Sequence, residues 1–249
     1  MKNLVLLLFC FFANYCFAQT TDKRFLRVEY DVFYNTEIPN SKKGILEIDI
    51  YKNNAIFLLE KSDLKSGVTK NSDVISLIGK NAERYMKIDR NKNQIQFTEF
   101  IKNETLLVND TLIGQNWNVD YSETKKIGEI VCNKATLNFR GRVFTAWYDM
   151  NSPFNFGPWK FCNLPGLILE VYDETFRYNW KASAMYFTET SKINLPAASN
   201  LKEISFKKFI DLRYNQSNAT ISSKMPRGVE TQRIDVGRTG IEIKFEWEK

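Results

Sequence analysis

The chain has 249 residues, 43% hydrophobic and 14% aromatic, with a net charge of +6. That suits one globular domain whose core needs no disulfide or metal to stand. Histidine is absent, which excludes Ser-His-Asp and Cys-His catalysis and histidine-ligated zinc, and the positive charges are interleaved with Asp and Glu, unlike the concentrated basic patch of a nucleic-acid-binding protein.

Residues 1–18 read as a secretory signal peptide. Lys2 gives a charged start, Leu4–Phe12 is an uninterrupted apolar run, and Cys16-Phe17-Ala18 offers small residues at the cleavage positions. Cleavage near Ala18 would leave Gln19 first and make the protein periplasmic, envelope-associated or secreted. Bulky Phe9 and Tyr15 before Cys10 and Cys16 argue against a lipoprotein cut. No later stretch approaches the roughly 18 apolar residues of a spanning helix. Of four cysteines, Cys132 and Cys162 remain after export. In an oxidising compartment they could form a disulfide, or stay as two buried thiols.

Residues 19–249 read as one β domain. Phe25–Tyr34 alternates, with Val28, Tyr30, Val32 and Tyr34 on one face and Arg27, Glu29 and Asp31 on the other. Ile45–Tyr51 repeats the pattern and pairs with Ala55–Glu60 across Lys52-Asn53-Asn54. Lys61–Gly79 is irregular and reads mostly as loop. Arg84–Ile88 and Gln94–Phe100 flank Asp89–Asn93. That tip has the Asp-x-Asn-x-Asn look of a calcium loop but lacks its Gly and Glu, so it reads as a hairpin turn. Glu104–Val108 and Trp117–Tyr121 are short strands, with Asn109-Asp110 between them as a turn. Asn103-Glu-Thr and Asn218-Ala-Thr match the N-glycosylation pattern.

Gly128–Asn138 and Arg142–Met150 form a long hairpin about Arg140-Gly141, with Trp147 and Tyr148 near its end. Residues 154–166 form an aromatic motif loop with two turn signals, Gly157-Pro158 and Pro165-Gly166, and Trp147, Phe154, Phe156, Trp159 and Phe161 concentrated around them. Pro165 and Gly166 suit the central positions of a type II turn. Trp159, Phe161 and Leu164 can fold back as a plug on one end of the core, or line a ligand pocket. Leu167–Tyr172 is apolar on both faces except for Glu170 and reads as an interior strand. Phe176–Phe187 returns from it across Asp173-Glu174. Residues 203–213 fit a helical period, with Phe206, Phe209 and Ile210 on one face and Ser205 as cap. Asn215–Arg238 reads as loop. Ile241, Ile243, Phe245 and Trp247 alternate with Glu242, Lys244, Glu246 and Glu248 as a terminal strand. The sum is an all-β, mainly antiparallel fold: a curved sheet, half-barrel or barrel with one short helix.

The segment Asn163-Leu-Pro-Gly-Leu-Ile168 resembles the signature of the GLPGLI family, exported proteins of Bacteroidetes-type bacteria. The likeness extends through Cys132–Thr136, Phe139–Arg142, Ala146–Tyr148 and Gly157–Phe161, and more weakly to Ile241–Trp247. Its motif positions are Arg140, Gly141, Arg142, Trp147, Gly157, Pro158, Trp159, Leu164, Pro165 and Gly166. Asn163 stands where the signature has Gly, and Asn tolerates positive φ. The resemblance implies an exported β-rich protein and carries no activity, cofactor or catalytic residue.

Three functions follow as expectations. The first is a non-enzymatic protein that binds an apolar ligand or an envelope protein through the aromatic loop. The second is an envelope hydrolase of peptide or glycan, which needs Asp149, Glu170 and Asp173 to converge. The third is a structural part of a secreted assembly. Arg140 and Arg142 could hold an anion or pair with Glu129, Asp149 or Glu170. Asp173 and Glu174 read as solvated turn carboxylates.

Overall fold

In the computed structural model, residues 23–62, 67–71, 74–78, 82–101, 104–215 and 238–248 are described. Residues 1–18, expected to be a signal peptide, and the glycosylation-motif asparagines Asn103 and Asn218 lie outside the described residues, as does most of Asn215–Arg238.

Twelve strands form one sheet. The first meander opens with β1 (Phe25–Tyr34), β2 (Asn40–Asp49) and β3 (Asn54–Leu59). Inside the next stretch, expected to be loop, β4 (Gly67–Asn71) and β5 (Val74–Ile78) make a separate hairpin. The meander then resumes through β6 (Arg84–Asp89), β7 (Gln94–Ile101) and β8 (Glu104–Thr111). The second meander runs through β9 (Asn118–Ile127), β10 (Ile130–Phe139), β11 (Arg142–Asp149), β12 (Leu167–Asp173) and β13 (Tyr178–Thr188). The two join along an antiparallel β1–β13 seam with a bulge at Glu29/Tyr30. β14 (Lys202–Ser205) adds a parallel strand beside β8, making the sheet mixed though mostly antiparallel. The order is β14-β8-β7-β6-β3-β2-β1-β13-β12-β11-β10-β9.

Connectivity forces this sheet to roll. β8 and β9 are consecutive in the chain but stand second and last in strand order. Laid flat, they would be about 48 Å apart at ~4.8 Å per strand. The link between Thr111 and Asn118 reaches at most ~25 Å. The sheet therefore curls until its edges approach, without hydrogen bonds that would close it into a barrel. The alternation seen in the sequence decides which side turns inward. Leu26, Val28, Tyr30 and Val32 of β1 are buried, and the Tyr30 hydroxyl donates to the Ile168 carbonyl oxygen at 2.6 Å.

Several expectations are met. The Asp89–Asn93 tip is a hairpin turn, and Asp89 accepts from the Lys92 amide. β10 and β11 pair about Arg140-Gly141, whose φ values of 45° and 86° are those of a twist-matched two-residue turn. The helix α1 (Phe206–Ile210) is capped by Ser205, whose Oγ accepts from the Lys208 amide, and its Phe206, Phe209 and Ile210 are buried. It is shorter than expected: β14 occupies its expected start, and a wider turn at Asp211–Asn215 follows.

Other expectations fail, each for a tertiary reason. Asn109 and Asp110 continue β8, because the strand pairs with β7 through Thr111. Residues 241–248 form no strand. Instead the Ile243 and Lys244 amides both donate to the Arg140 carbonyl, and Phe245 and Trp247 stack on each other at 5.1 Å beside Phe206. Pro165-Gly166 is not a type II turn. The Gly166 amide donates to the Leu164 carbonyl, a γ-turn centred on Pro165, and Gly166 has φ 154°.

A Cβ on Gly166 would lie 2.0 Å from the Asp149 carbonyl oxygen. Gly166→Ala should therefore cost about 3 kcal/mol or more, since backbone must move. Gly114→Ala, where a Cβ meets nothing within 4 Å, should change stability by less than about 0.5 kcal/mol. Urea unfolding of both variants is the measurement, and equal midpoints would contradict the packing described.

Candidate functional site

The aromatic loop is built into the core. Phe156 and Cys162 form an isolated β-bridge, the Asn163 amide donates to Asn155, and the Ile168 amide donates to Phe156. From the other side, the link between β8 and β9 clamps it. Gln115 Nε2 donates to the Lys160 carbonyl at 2.9 Å, Gln115 Oε1 accepts from the Cys162 amide at 2.9 Å, and Trp117 Nε1 donates to the Cys162 carbonyl at 2.8 Å. Trp159, Phe161 and Leu164 are buried. Trp159 stacks on Trp180 with centroids 6.1 Å apart, and Phe161 meets Phe144 at 4.8 Å. Gly157 sits against Ile168, where a Cβ would meet Ile168 Cβ at 2.8 Å. Asn163 holds φ 71°, as expected for the residue replacing Gly, and Trp159 holds φ 54°. A bulky residue at positive φ persists only where packing fixes it.

The motif aromatics do not all gather here. Trp147 is buried on the opposite side of β11 from Phe144, with the Lys125 ammonium 5.5 Å from its ring. Phe154 packs against Phe187.

Arg140 and Arg142 pair, but not with Glu129, Asp149 or Glu170. Arg140 Nη1 donates to Asp110 Oδ2 at 2.8 Å and to Glu242, and its Nε donates to Glu246 at 2.8 Å. Lys160 donates to Asp110 at 2.9 Å and to both Glu242 oxygens at 2.8 and 2.9 Å. The side chains of Arg140 and Lys160 are 2% and 1% exposed, so this is a buried charge cluster. The Phe206 ring covers both cations, at 4.3 and 4.2 Å. Burial would raise the Asp110 pKa, but Lys160 and Arg140 outweigh it and hold the carboxyl below its ordinary value. Arg142 donates to the Gly240 carbonyl through Nε and Nη2 and to Asp173 at 3.2 Å. The Arg-Gly-Arg turn is thus a clamp for the 240–248 segment.

Asp173 is buried rather than solvated. It accepts from Arg142, from the Thr175 hydroxyl and from the Tyr178 amide. Glu174 is exposed. Asp149, Glu170 and Asp173 do not converge. Glu170 and Asp173 stand three apart on one strand and so face opposite sides. Glu170 pairs with Lys125, and Asp149 accepts from the Asn151 amide.

Cys132 and Cys162 are both free and buried, so the structure carries two thiols and no disulfide between them. Burial pushes each thiol up to about 12, which makes it a poor nucleophile.

Between the loop, the helix and the inner sheet face lies a cavity of about 190 Å³. Trp159 and Lys160 line it from the loop, Phe209 and Ile210 from α1, and Gly240–Glu242 from the C-terminal segment. The sheet contributes Tyr34, Phe57, Met86, Phe97 and Tyr178. Arg84 and Glu99 stand among the polar lining groups and form an ion pair at 3.4 Å. This arrangement can hold a small, largely apolar molecule with a polar group at the rim. Among the described residues no cluster of His, Cys, Asp and Glu forms a metal site, and no helix is long and apolar enough to cross a membrane.

No family model and no curated protein matches the chain. Among solved structures, PNGF-II is similar in one crystal form with TM-score 0.50 and 17% identity, over 76% of this chain and 33% of that one. A second PNGF-II form gives 0.48 and 17%, over 76% and 32%. An uncharacterised conserved protein from Thermus thermophilus gives 0.39 and 9%, over 74% and 92%. This chain thus spans about a third of the PNGF-II chain, and that likeness is one of fold.

Arg140→Met should cost about 3–5 kcal/mol, because Asp110 loses a partner while still buried. The Asp110 carboxylate, with its pKa lowered on folding, contributes stability that is complete above about pH 4 and is lost as pH falls through the folded value. Asp110→Asn should therefore flatten the acid limb of a melting-temperature profile. An unchanged limb would show that the cluster is not what acid breaks.

Proposed function

We propose that this is a non-enzymatic, exported binding protein of the cell envelope that takes a small ligand with an apolar body into the cavity beneath the motif loop. The cavity itself carries the reading. It lies between the motif loop, α1, the C-terminal segment and the sheet, with Phe57, Phe97, Trp159, Tyr178 and Phe209 in its lining beside a few polar groups, the common make-up of a ligand site. The charged, apolar and small-residue pattern of residues 1–18 supports export, as does the resemblance to the GLPGLI family in the 128–173 stretch. That stretch contributes one wall, through Trp159 and Lys160, rather than the whole pocket.

Export is checked by mass spectrometry of the unreduced protein released by a Gram-negative host. The expected mass begins at Gln19 and carries two free thiols. A retained residue 1–18 segment would remove the envelope from the proposal.

Trp159→Ala does not separate binding from folding, because the ring is core and its loss costs about 3–5 kcal/mol. A cavity-filling change does. Ile241 lines the cavity and is only partly buried, so Ile241→Trp should occupy the space while the fold persists. Titration of the native chain with p-cresol should shift the Met86, Ile210 and Ile241 methyl resonances saturably, and the Ile241→Trp variant should show no saturable shift at Met86 and Ile210. Absence of any shift in the native chain, or an undiminished one in the variant, would refute the cavity as the site.

A further inference from the structure

We infer that the cavity selects an anionic ligand, a carboxylate on a compact apolar body, with Lys42 and Arg84 receiving the charge at the rim; this rests on the cavity reading above.

The argument begins with strand parity. Lys42 on β2, Arg84 on β6 and Glu99 on β7 share the inner face with Leu46, Met86 and Phe97, and all three stand at the same end of the sheet. Tyr34 on β1 faces the same way. Toward the other end of these strands the inner-face positions Leu46, Ile48, Met86, Ile88, Ile95 and Phe97 are apolar and buried. The charges are therefore concentrated at one end of these strands, where Arg84, Glu99 and Tyr34 line the cavity and Lys42 stands beside it against Tyr34. The Lys42 ammonium sits 5.9 Å from the centroid of the Tyr34 ring.

The rim charges do not cancel. Of the two carboxylates that line the cavity, Glu242 belongs to the buried cluster and Glu99 pairs with Arg84 through a single 3.4 Å contact. Lys42 has an aromatic neighbour and, among the described residues, no ion pair. Arg213 also lines the cavity, beside the Phe209 and Tyr214 rings. Burial, with Arg84 reinforcing it against Glu99, presses the Lys42 pKa down to about 8. That is the mark of a cation short of compensation.

At the inner end the opposite holds. Lys160 and Glu242 neutralise each other within the buried cluster, and the rest of that end is Phe97, Trp159 and Phe209. The cavity is thus neutral and aromatic inside and positive at its mouth. A carboxylate at the mouth would gain charge-assisted bonds while its apolar body stays inside. A shallower depression shares Arg84, Glu99, Phe209 and Arg213 with the cavity, so the rim is reachable from outside.

Three ligands of one shape separate the possibilities: phenylacetate, 2-phenylethanol and phenethylamine, titrated against the native chain with the Met86 and Ile241 methyl resonances as readout. Phenylacetate should bind about tenfold tighter than the alcohol, with the amine weakest. The double variant Lys42→Gln/Arg84→Gln should bring the acid-to-alcohol ratio to about one, and Glu99→Gln should raise it. Arg84 is half exposed, so the double variant should keep its fold, and a thermal melt verifies this. If alcohol and acid bind alike, or the amine binds best, the anion inference is overturned while the cavity reading stands. If none of the three shifts the methyls, both fall.

Discussion

Asp110, Arg140 and Lys160 are three charges shut away from water with Glu242 held largely away from it beside them, and the segments that complete the roll all meet there. Asp110 comes from β8 near one edge of the sheet. Arg140 comes from the β10–β11 turn near the other edge, Lys160 from the aromatic loop, and Glu242 from the C-terminal segment. Burying an ion costs several kcal/mol even after relaxation. No one of these four could stay buried alone. Each segment can therefore take its place only when the others have taken theirs, and the cluster couples the two sheet edges without backbone pairing between them. Well-packed apolar groups could stabilise a core as well. Charges add register, because Arg140 reaches three carboxylates from one position and a shift of either edge would strand them.

This coupling explains the backbone conformations of the Arg-Gly-Arg turn. Arg140 sits at positive φ, where a non-glycine residue is uncommon. Its carbonyl faces the Ile243 and Lys244 amides and its guanidinium faces the acids. A Cβ on Gly141 would meet Ile243 Cγ1 at 2.7 Å, so the turn and the C-terminal segment are in close contact. The aromatic loop is fixed in the same way, by Gln115 and Trp117 on one side and Trp180 and Phe144 on the other. The cavity is what remains between these fixed parts and the inner face of the first meander.

Much of the fold was legible from local pattern. Period-two alternation located β1 and β2, and the turn signals at Lys52–Asn54, Asp89–Asn93 and Arg140-Gly141 placed β3, β6, β7, β10 and β11. Ser205 and the Phe206, Phe209, Ile210 face marked the helix start. Asn163 at positive φ was expected because the signature it resembles has Gly there and Asn tolerates that region. The failures have a common cause. Asn109-Asp110 looks like a turn because free Asp and Asn favour turns, yet Asp110 is held inside a strand by cations far along the chain. Residues 241–248 alternate perfectly, yet they docked on a turn instead of a strand edge, and Glu242 and Glu246 both pair with Arg140. Lys160 lay inside the motif and gave no local sign of its role. An Arg-Gly-Arg turn followed by a lysine in an aromatic loop does signal that carboxylates must come from elsewhere, though not which ones.

The sequence by itself determined the class of fold, most strand positions and the aromatic loop as a joint, since these follow from side-chain period and turn chemistry within a few residues. Only the tertiary structure decided how far the sheet rolls, which acids meet Arg140, Arg142 and Lys160, that the cysteines stay apart, and that a cavity lies under the loop. Those depend on distant residues being brought together, with the partners of Arg140 alone lying from 30 to 106 positions away. What brings them together is a short β8–β9 link and a charge cluster that cannot be buried in parts.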